Sequence, residues 1–157
     1  MSKADFSVKT IPHQETYEWL LKKHYAHRIP SISYSFGLYD KDRLCGVCCF
    51  GTPASSTLLK GVCGELYSDK VIELNRLVIE SSEPNITSWF VSRCLKVFNN
   101  MIIVSYADTS QGHIGKIYQA TNALYTGLSS KFKDPKVKGL EHQLFANRQM
   151  LKSCKLH

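Results

Sequence analysis

The sequence predicts an α/β or α+β domain in which helices pack against one central sheet. Two apolar runs flank a short polar connection, as in a hairpin of antiparallel strands, and residues 71–79 alternate polar and apolar side chains as a strand does. Further segments repeat apolar residues at helical spacing. A chain of 157 residues, 43% of them hydrophobic, can bury one core of ordinary size. We therefore predict a single domain over residues 1–157.

The first half of the chain predicts a helix, a hairpin and a loop. The helix covers residues 12–25, because proline is tolerated in a first turn and apolar residues follow at i, i+3, i+4 and i+7. The hairpin strands are residues 33–39 and 44–50. Residues 54–70 have no clear period, so we expect a loop there that includes at most one short strand or turn.

Strands and helices alternate in the second half. The strand at 71–79 is followed by a helix at 86–98 and by a short buried strand at 101–106. Apolar residues then predict a helix over 114–125, which Gly127 closes.

The C-terminal tail is strongly basic. The formal net charge is +7, and residues 128–157 hold seven lysines or arginines against two acidic residues. Such an excess favours a polyanionic partner, nucleic acid first and an acidic membrane second, with a solvated basic surface as the alternative. Apolar pairs at 144–145 and 150–151 predict one or two antiparallel edge strands in the same tail.

The sequence predicts a cytoplasmic protein without a membrane segment. No apolar run approaches the roughly 18 residues of a membrane span, and the N-terminus lacks the apolar core of a signal peptide. The six cysteines are then expected to be thiols, because the cytosol keeps them reduced.

Cys45 and Cys48 have the spacing of two ligands in a metal knuckle. His24 and His27 have a spacing that could supply a second pair of ligands. Strand alternation places the two cysteines on opposite faces, and no second C-x-x-C accompanies them. We therefore assign no metal site and expect small buried thiols.

The best candidate site is the polar stretch that follows the strand at 101–106. It lies where a strand turns into a helix, a common ligand position in open α/β sheets. Asp108 is a candidate general base or orienting carboxylate, and His113 a candidate proton carrier. The alternative is an ordinary loop in which Asp108 or a neighbouring hydroxyl caps the helix.

Other candidate residues lie outside this stretch. His24 occupies the apolar face of the first helix, where a buried structural histidine is the alternative to a functional one. Arg76 and Glu73 share a strand, and a surface ion pair between them is the alternative to substrate contact. His27 and Arg28, together with basic and aromatic residues of the tail, could line a groove for a phosphate backbone and stacked bases.

The order of these elements resembles the core of the GNAT-type N-acyltransferases. The carrying motifs are ELNRLVI at 73–79 and A-x-N-x-x-Y-x-G at 120–127. The resemblance implies a mixed, mostly antiparallel central sheet with helices on both faces. It also implies that Tyr125, placed near the end of the last core helix, acts as general acid for the departing thiolate.

A narrower resemblance covers roughly residues 17–127. The stretches HYAHRIPSISYSFGLY, ELNRLVI, SWFVSRCL and YADTSQGHIGKIYQATNALYTG look like the Mom family of phage DNA-adenine modification proteins. The resemblance implies conversion of adenine in double-stranded DNA to a carbamoylmethylated form that protects phage DNA from restriction in the host cytoplasm. The catalytic positions that it implies are Arg76, Ser88, Asp108 and Tyr125. The substrate-binding positions are His24, Tyr25, Arg28, Tyr34 and His113.

The implied donor is acetyl-CoA or another acyl donor. The superfamily binds the coenzyme pyrophosphate with a glycine-rich loop, whereas residues 82–88 here contain no glycine, which weighs against coenzyme A. The hydroxyls of Thr87 and Ser88 at the helix start could still hold an anion. The metal requirement and the oligomeric state stay open, a dimer included. The alternative functions are a GNAT-type N-acetyltransferase of a small amine or protein, and a DNA-binding module without catalysis.

Overall fold

In a computed structural model, the described residues form one mixed sheet of seven strands. The structure describes residues 5–129 and 142–147, so most of the basic tail and the predicted strand at 150–151 lie outside the described residues. The strands are β1 (Phe6–Thr10), β2 (Tyr34–Asp40), β3 (Arg43–Gly51), β4 (Val71–Ile79), β5 (Ile102–Asp108), β6 (Ala123–Leu128) and β7 (His142–Asn147). The helices are α1 (His13–Glu18), α2 (Ser56–Cys63), α3 (Ile86–Leu95) and α4 (Lys116–Ala120). A π-helical turn at Trp19–Lys23 extends α1, and 3-10 turns cover Glu65–Lys70 and Thr109–Gln111.

The sheet order is β1-β2-β3-β4-β5-β7-β6. All neighbouring strands are antiparallel except β4 and β5, which run parallel because α3 crosses over between them. The predicted mixed, mostly antiparallel sheet is confirmed.

Helices cover both faces of this sheet. On one face, Phe50 and Ile72 pack with Phe90 of α3, and Phe50 and Phe90 are fully buried. Alternate strand residues point to the opposite face, where Val47 packs with Leu20 of the π-helical turn. Each fully buried side chain of this size contributes about 2–3 kcal/mol. Helix α2 covers the same face as the π-helical turn, since its apolar residues pack against Val71, Ile102 and Val104.

Residues 54–70 are helical, so the predicted loop is wrong. Ser55 caps α2, because its hydroxyl accepts a hydrogen bond from the Leu58 N–H at 3.3 Å. Leu58 and Val62 are four residues apart and face the same core cluster. The sequence therefore contains both a capping residue and apolar residues at helical spacing, but the helix is only about two turns long.

The predicted helix over 114–125 is confirmed only over Lys116–Ala120. Helix α4 ends at Ala120, and Asn122 adopts a left-handed conformation with φ of 63°. The chain then continues as β6, which places Tyr125 on a strand. The tail strand around 144–145 is confirmed as antiparallel β7, although it lies between β5 and β6 and not at the edge.

Four cysteines of the described chain are buried free thiols, as predicted: Cys45, Cys48, Cys49 and Cys94. For Cys63 the prediction of a free thiol is wrong, because this residue forms a disulfide. No helix within the described ranges is long and apolar enough to cross a membrane.

Candidate active site

A cavity of about 1630 Å³ opens where β4 and β5 separate. The two strands pair only from Val71–Ile102 to Leu74–Ser105, and the residues that follow on each strand line the cavity. Its other walls come from residues 24–28, from α2 and from residues 112–118. Typical small-molecule pockets measure roughly 300–1,000 Å³, so this cavity has room for a nucleotide and a second reactant.

A bulge in β4 directs two charged side chains to the same wall. Leu74 lies opposite Phe50 and Arg76 lies opposite Cys49, so Asn75 is an extra residue without a partner in β3. Such a bulge shifts the alternation by one residue, and Arg76 therefore shares a face with Glu73.

For Glu73, the sequence left open a sheet-face ion pair with Arg76 or contact with a substrate. Burial raises the pKa of its carboxyl to about 7, although the positive charges of Arg76 and Arg28 oppose the shift. None of the ion pairs in the described chain joins Glu73 to Arg76. A carboxyl that is half protonated near neutral pH, in a cavity, has the properties of a general base. The available signal was a lone carboxylate between the apolar residues Ile72 and Leu74.

Arg76 and Arg28 place positive charge in the cavity. Burial lowers the pKa of Arg76, with the nearby Arg28 charge as the second cause. The Arg76 Nη1 donates a hydrogen bond to the Asn75 carbonyl oxygen at 2.6 Å, which orients the guanidinium. Arg28 is exposed and lines the cavity. Two guanidinium groups in one cavity are suited to an anionic group such as a phosphate.

An aromatic wall consists of His24, Tyr25 and His113. The rings of His24 and Tyr25 stack with centroids 4.4 Å apart, and His113 meets Tyr25 edge-on at 5.6 Å. Burial lowers the pKa of His24 to about 4, helped by the charges of Arg76, His113 and His27. Tyr25 is 44% exposed, so its ring can receive a planar ligand.

Asp108 caps a turn and also lines the cavity. Its Oδ1 accepts hydrogen bonds from the Ser110 N–H at 2.9 Å and from the Ser110 hydroxyl at 2.6 Å, so it caps the 3-10 turn that follows. It is nevertheless only 6% exposed and lines the cavity at the end of β5.

Tyr118, and not Tyr125, is the tyrosine that lines the cavity from the last core helix. Its hydroxyl donates to the Tyr106 carbonyl oxygen at 3.4 Å. Burial raises the pKa of Tyr118 to about 12, opposed by a hydrogen bond with Ser105. Ser105 itself donates to the Leu74 carbonyl oxygen at 2.9 Å, at the last paired residues of β4 and β5. Tyr125 is 50% exposed on β6 and outside the cavity lining.

Of the remaining predicted site residues, some line the cavity and others lie outside it. Thr87 lines the cavity. Ser88 does not, and its hydroxyl donates to the Asn85 carbonyl oxygen within the first turn of α3. Tyr34 also lies outside the lining, where its ring packs edge-on against Phe98 at 5.1 Å.

The start of α3 lacks the glycine-rich loop with which the superfamily binds the pyrophosphate of coenzyme A. The Glu83 N–H donates to the Ser81 hydroxyl and the Ile86 N–H donates to the Glu83 carbonyl oxygen, so these amides are already engaged. Glu83 adds negative charge at the same place. Among the described residues, no group of three His, Cys, Asp or Glu side chains is arranged to hold a metal ion.

The sheet with its split between β4 and β5 is the fold of the N-acetyltransferases. Similar solved structures include an N-acetyltransferase from Staphylococcus aureus, at 12% identity with a TM-score of 0.62, covering 90% of this chain and 96% of that one. NAA60 of Arabidopsis thaliana, in complex with acetyl-CoA, is 11% identical with a TM-score of 0.66 and coverages of 90% and 97%. The aminoglycoside acetyltransferase AAC(6')-Ib, in complex with coenzyme A and kanamycin, is 9% identical with a TM-score of 0.62 and coverages of 97% and 99%. The chain thus has the GNAT-type fold.

Within that fold, the chain belongs to the Mom protein family, whose sequence pattern matches residues 5–155. No curated protein matches the chain.

Proposed function

We propose that this protein transfers a carbamoylmethyl group to the exocyclic amine of adenine in double-stranded DNA. The observation that carries the proposal is one cavity that combines the Glu73 carboxyl, of pKa about 7, with the His24–Tyr25 aromatic stack. Membership of the Mom family supports the choice of adenine in DNA. In a phage-infected cell the modification would protect phage DNA from restriction in the host cytoplasm.

The amine of adenine is a poor nucleophile, because its lone pair is delocalised into the ring. The site must therefore orient it and remove a proton as it attacks. Glu73 accepts this proton, and a bond forms between the amine nitrogen and the electrophilic carbon of the donor. The bond from that carbon to its leaving atom breaks, and the hydroxyl of Tyr118 donates the proton that the leaving atom needs. Asp108, fixed by Ser110, orients the substrate from the end of β5.

The target amine is paired within a duplex, so the base has to leave the stack to enter the cavity. Tyr25, exposed at the cavity wall, stacks on the extruded base. Arg28 and Arg76 bind phosphate or an anionic part of the donor, and His113 lines the same cavity against Tyr25. The net charge of +7 favours the DNA backbone as a partner.

The donor is left unassigned, because residues 82–88 lack glycine and the Glu83 and Ile86 amides at the start of α3 are already engaged. Thr87 is the hydroxyl that this helix offers to the cavity. A second candidate function is N-acetylation of a small amine or a protein, favoured by the structural similarity to acetyltransferases in complex with acetyl-CoA or coenzyme A.

The test is to express the chain in bacteria, digest plasmid DNA to nucleosides and measure the mass of the adenines. An added carbamoylmethyl group is expected, and a variant Glu73→Gln serves as the inactive control. Adenine of unchanged mass in cells that make folded protein would refute the proposal. An added acetyl group would favour the second candidate, and DNA binding without a change in mass would favour a DNA-binding module.

A further inference from the structure

The ring of His24 is held in one orientation at the cavity wall. Its Nδ1 accepts a hydrogen bond from the Ala26 N–H at 3.1 Å, and its face stacks on Tyr25. The flipped ring would place a carbon against the Ala26 N–H, which the observed orientation avoids. A ring nitrogen that accepts a hydrogen bond carries no proton, so in the neutral imidazole the proton sits on Nε2.

The other ring nitrogen, Nε2, carries the proton that His24 can donate. It forms no hydrogen bond with the described part of the chain, yet solvent still reaches it, although the whole residue is only 8% exposed. Because His24 lines the cavity, we infer that this solvent-accessible nitrogen faces the cavity. A ligand there meets a hydrogen-bond donor in a fixed place.

The surroundings keep this ring uncharged. Arg76 of β4, His113 of the loop after β5 and His27 of the same segment all oppose a second proton, and burial adds the largest effect, so that the pKa falls to about 4. A second proton would also sit on Nδ1 and break the bond from Ala26. At neutral pH the ring is therefore a donor and not a proton carrier.

We propose that the Nε2–H of His24 binds a ring nitrogen of the base next to the reacting amine and thereby selects the base. This assignment rests on the proposed function. Adenine offers such acceptors at N1 and at N7, on either side of the exocyclic amine. A hydrogen bond to either nitrogen draws electron density from the amine, which makes the proton that Glu73 removes more acidic. His24 is thus a specificity-determining and positioning residue.

The test pairs two variants with two substrate analogues. His24→Gln places an amide N–H near the position of Nε2, whereas His24→Asn places its amide near Nδ1. The substrates are duplex oligonucleotides that carry adenine, 1-deazaadenine or 7-deazaadenine at the target position. We expect His24→Gln to stay within about tenfold of the wild type in kcat/KM, and His24→Asn to lose about ten- to hundredfold, as expected for one buried hydrogen bond.

The analogues show which atom is bound. The wild type should lose about tenfold or more on one of the two deaza substrates, and His24→Asn should show no further loss on that substrate. Equal proportional losses in both proteins, or full activity of His24→Asn, would overturn the proposal. A wild type that modifies none of the adenine substrates would instead refute the proposed function and remove the substrate assignment with it.

A second measurement does not depend on activity. ¹⁵N NMR of histidine-labelled protein should show His24 as the neutral, Nε2-protonated tautomer throughout pH 5–8. A ring that titrates near its ordinary pKa of about 6.5, or that carries its proton on Nδ1, would contradict the fixed donor.

Discussion

Glu73 and Arg76 lie on one face of the sheet, although regular alternation would place residues three apart on opposite faces. The unpaired Asn75 between them causes the change, and without it Arg76 would point toward the core beneath α3. The bulge lies next to Leu74, the last residue of β4 that pairs with β5. One extra residue therefore places a carboxyl and a guanidinium together at the point where the two strands part.

The pKa of Glu73 predicts the pH dependence of the reaction. A general base acts in its deprotonated form, so kcat/KM should rise with pH and level off above about 7. Glu73→Gln should lower the rate by about a hundredfold or more and remove this rise. The measurement is a pH–rate profile on duplex DNA. An unchanged rising limb in the variant would assign the base to another residue.

The same carboxyl should weaken the fold at alkaline pH. Burial raises its pKa from 4.5 to about 7, so the native state binds a proton more tightly than the unfolded chain, and stability falls as pH rises through this range. Glu73→Gln should increase the free energy of unfolding by about 2–3 kcal/mol at pH 8 and have little effect at pH 4. Urea unfolding at both pH values checks this. A variant that is less stable at pH 8 would contradict the burial argument.

Much of the framework follows from the sequence because alternation and helical spacing are local properties. The strand predicted at 71–79 coincides with β4, and the hairpin strands match β2 and β3 closely. The bulge inside β4 could not be predicted, since Asn75 is an ordinary polar residue in an alternating strand. Its effect depends on the register with β3, which is a non-local contact.

The prediction that Tyr125 belongs to the site fails for a similar reason, because it depended on a local sequence pattern. A helix over 114–125 would have carried Tyr125 at its end, but a single left-handed residue, Asn122, ends the helical region early. Tyr118 then becomes the tyrosine that the last helix contributes to the cavity, although the sequence marks it only as part of an apolar helix face. One backbone angle, which periodicity does not report, thus changes which side chain is available for chemistry.

Asp108→Asn should separate catalysis from capping. The asparagine Oδ1 can still accept both hydrogen bonds from Ser110, so the 3-10 turn should persist while the charge is lost. We expect modification to fall by about a hundredfold or more with DNA affinity and thermal unfolding close to wild type. Ser110→Ala is the matched control, because it removes one bond and keeps the carboxylate. Wild-type activity of Asp108→Asn would leave Asp108 with the capping role alone.

Tyr118→Phe and Tyr125→Phe form a second matched pair. Because burial raises the pKa of Tyr118 to about 12, its hydroxyl stays protonated at neutral pH and has a proton to donate. Its loss should lower kcat by about a hundredfold. Its hydrogen bond to Tyr106 is long at 3.4 Å, so the cost in stability should be below about 1 kcal/mol. Tyr125→Phe should leave kcat unchanged. If Tyr125→Phe instead lowered kcat more than Tyr118→Phe did, the general acid would be Tyr125.

Gly51 controls the position of the segment that carries His24, Tyr25 and Arg28. A Cβ at this position would overlap the backbone of Ser31, whose carbonyl oxygen accepts a hydrogen bond from Asn75 Nδ2 at 2.8 Å. The Ser33 N–H also donates to the Phe50 carbonyl oxygen at 2.7 Å, so the segment cannot move without breaking contacts to β3 and to the bulge.

Gly51→Ala should therefore lower the free energy of unfolding by about 2–4 kcal/mol and reduce modification even where the protein is folded. Gly61→Ala provides the control within the same chain. An added Cβ at Gly61 meets no atom within 4 Å, and alanine is favoured over glycine inside α2, so stability should rise by up to about 1 kcal/mol. Urea unfolding and the adenine mass assay on both variants check the prediction. If Gly51→Ala were as stable and active as the wild type, the contact between β3 and Ser31 would not determine where the aromatic wall lies.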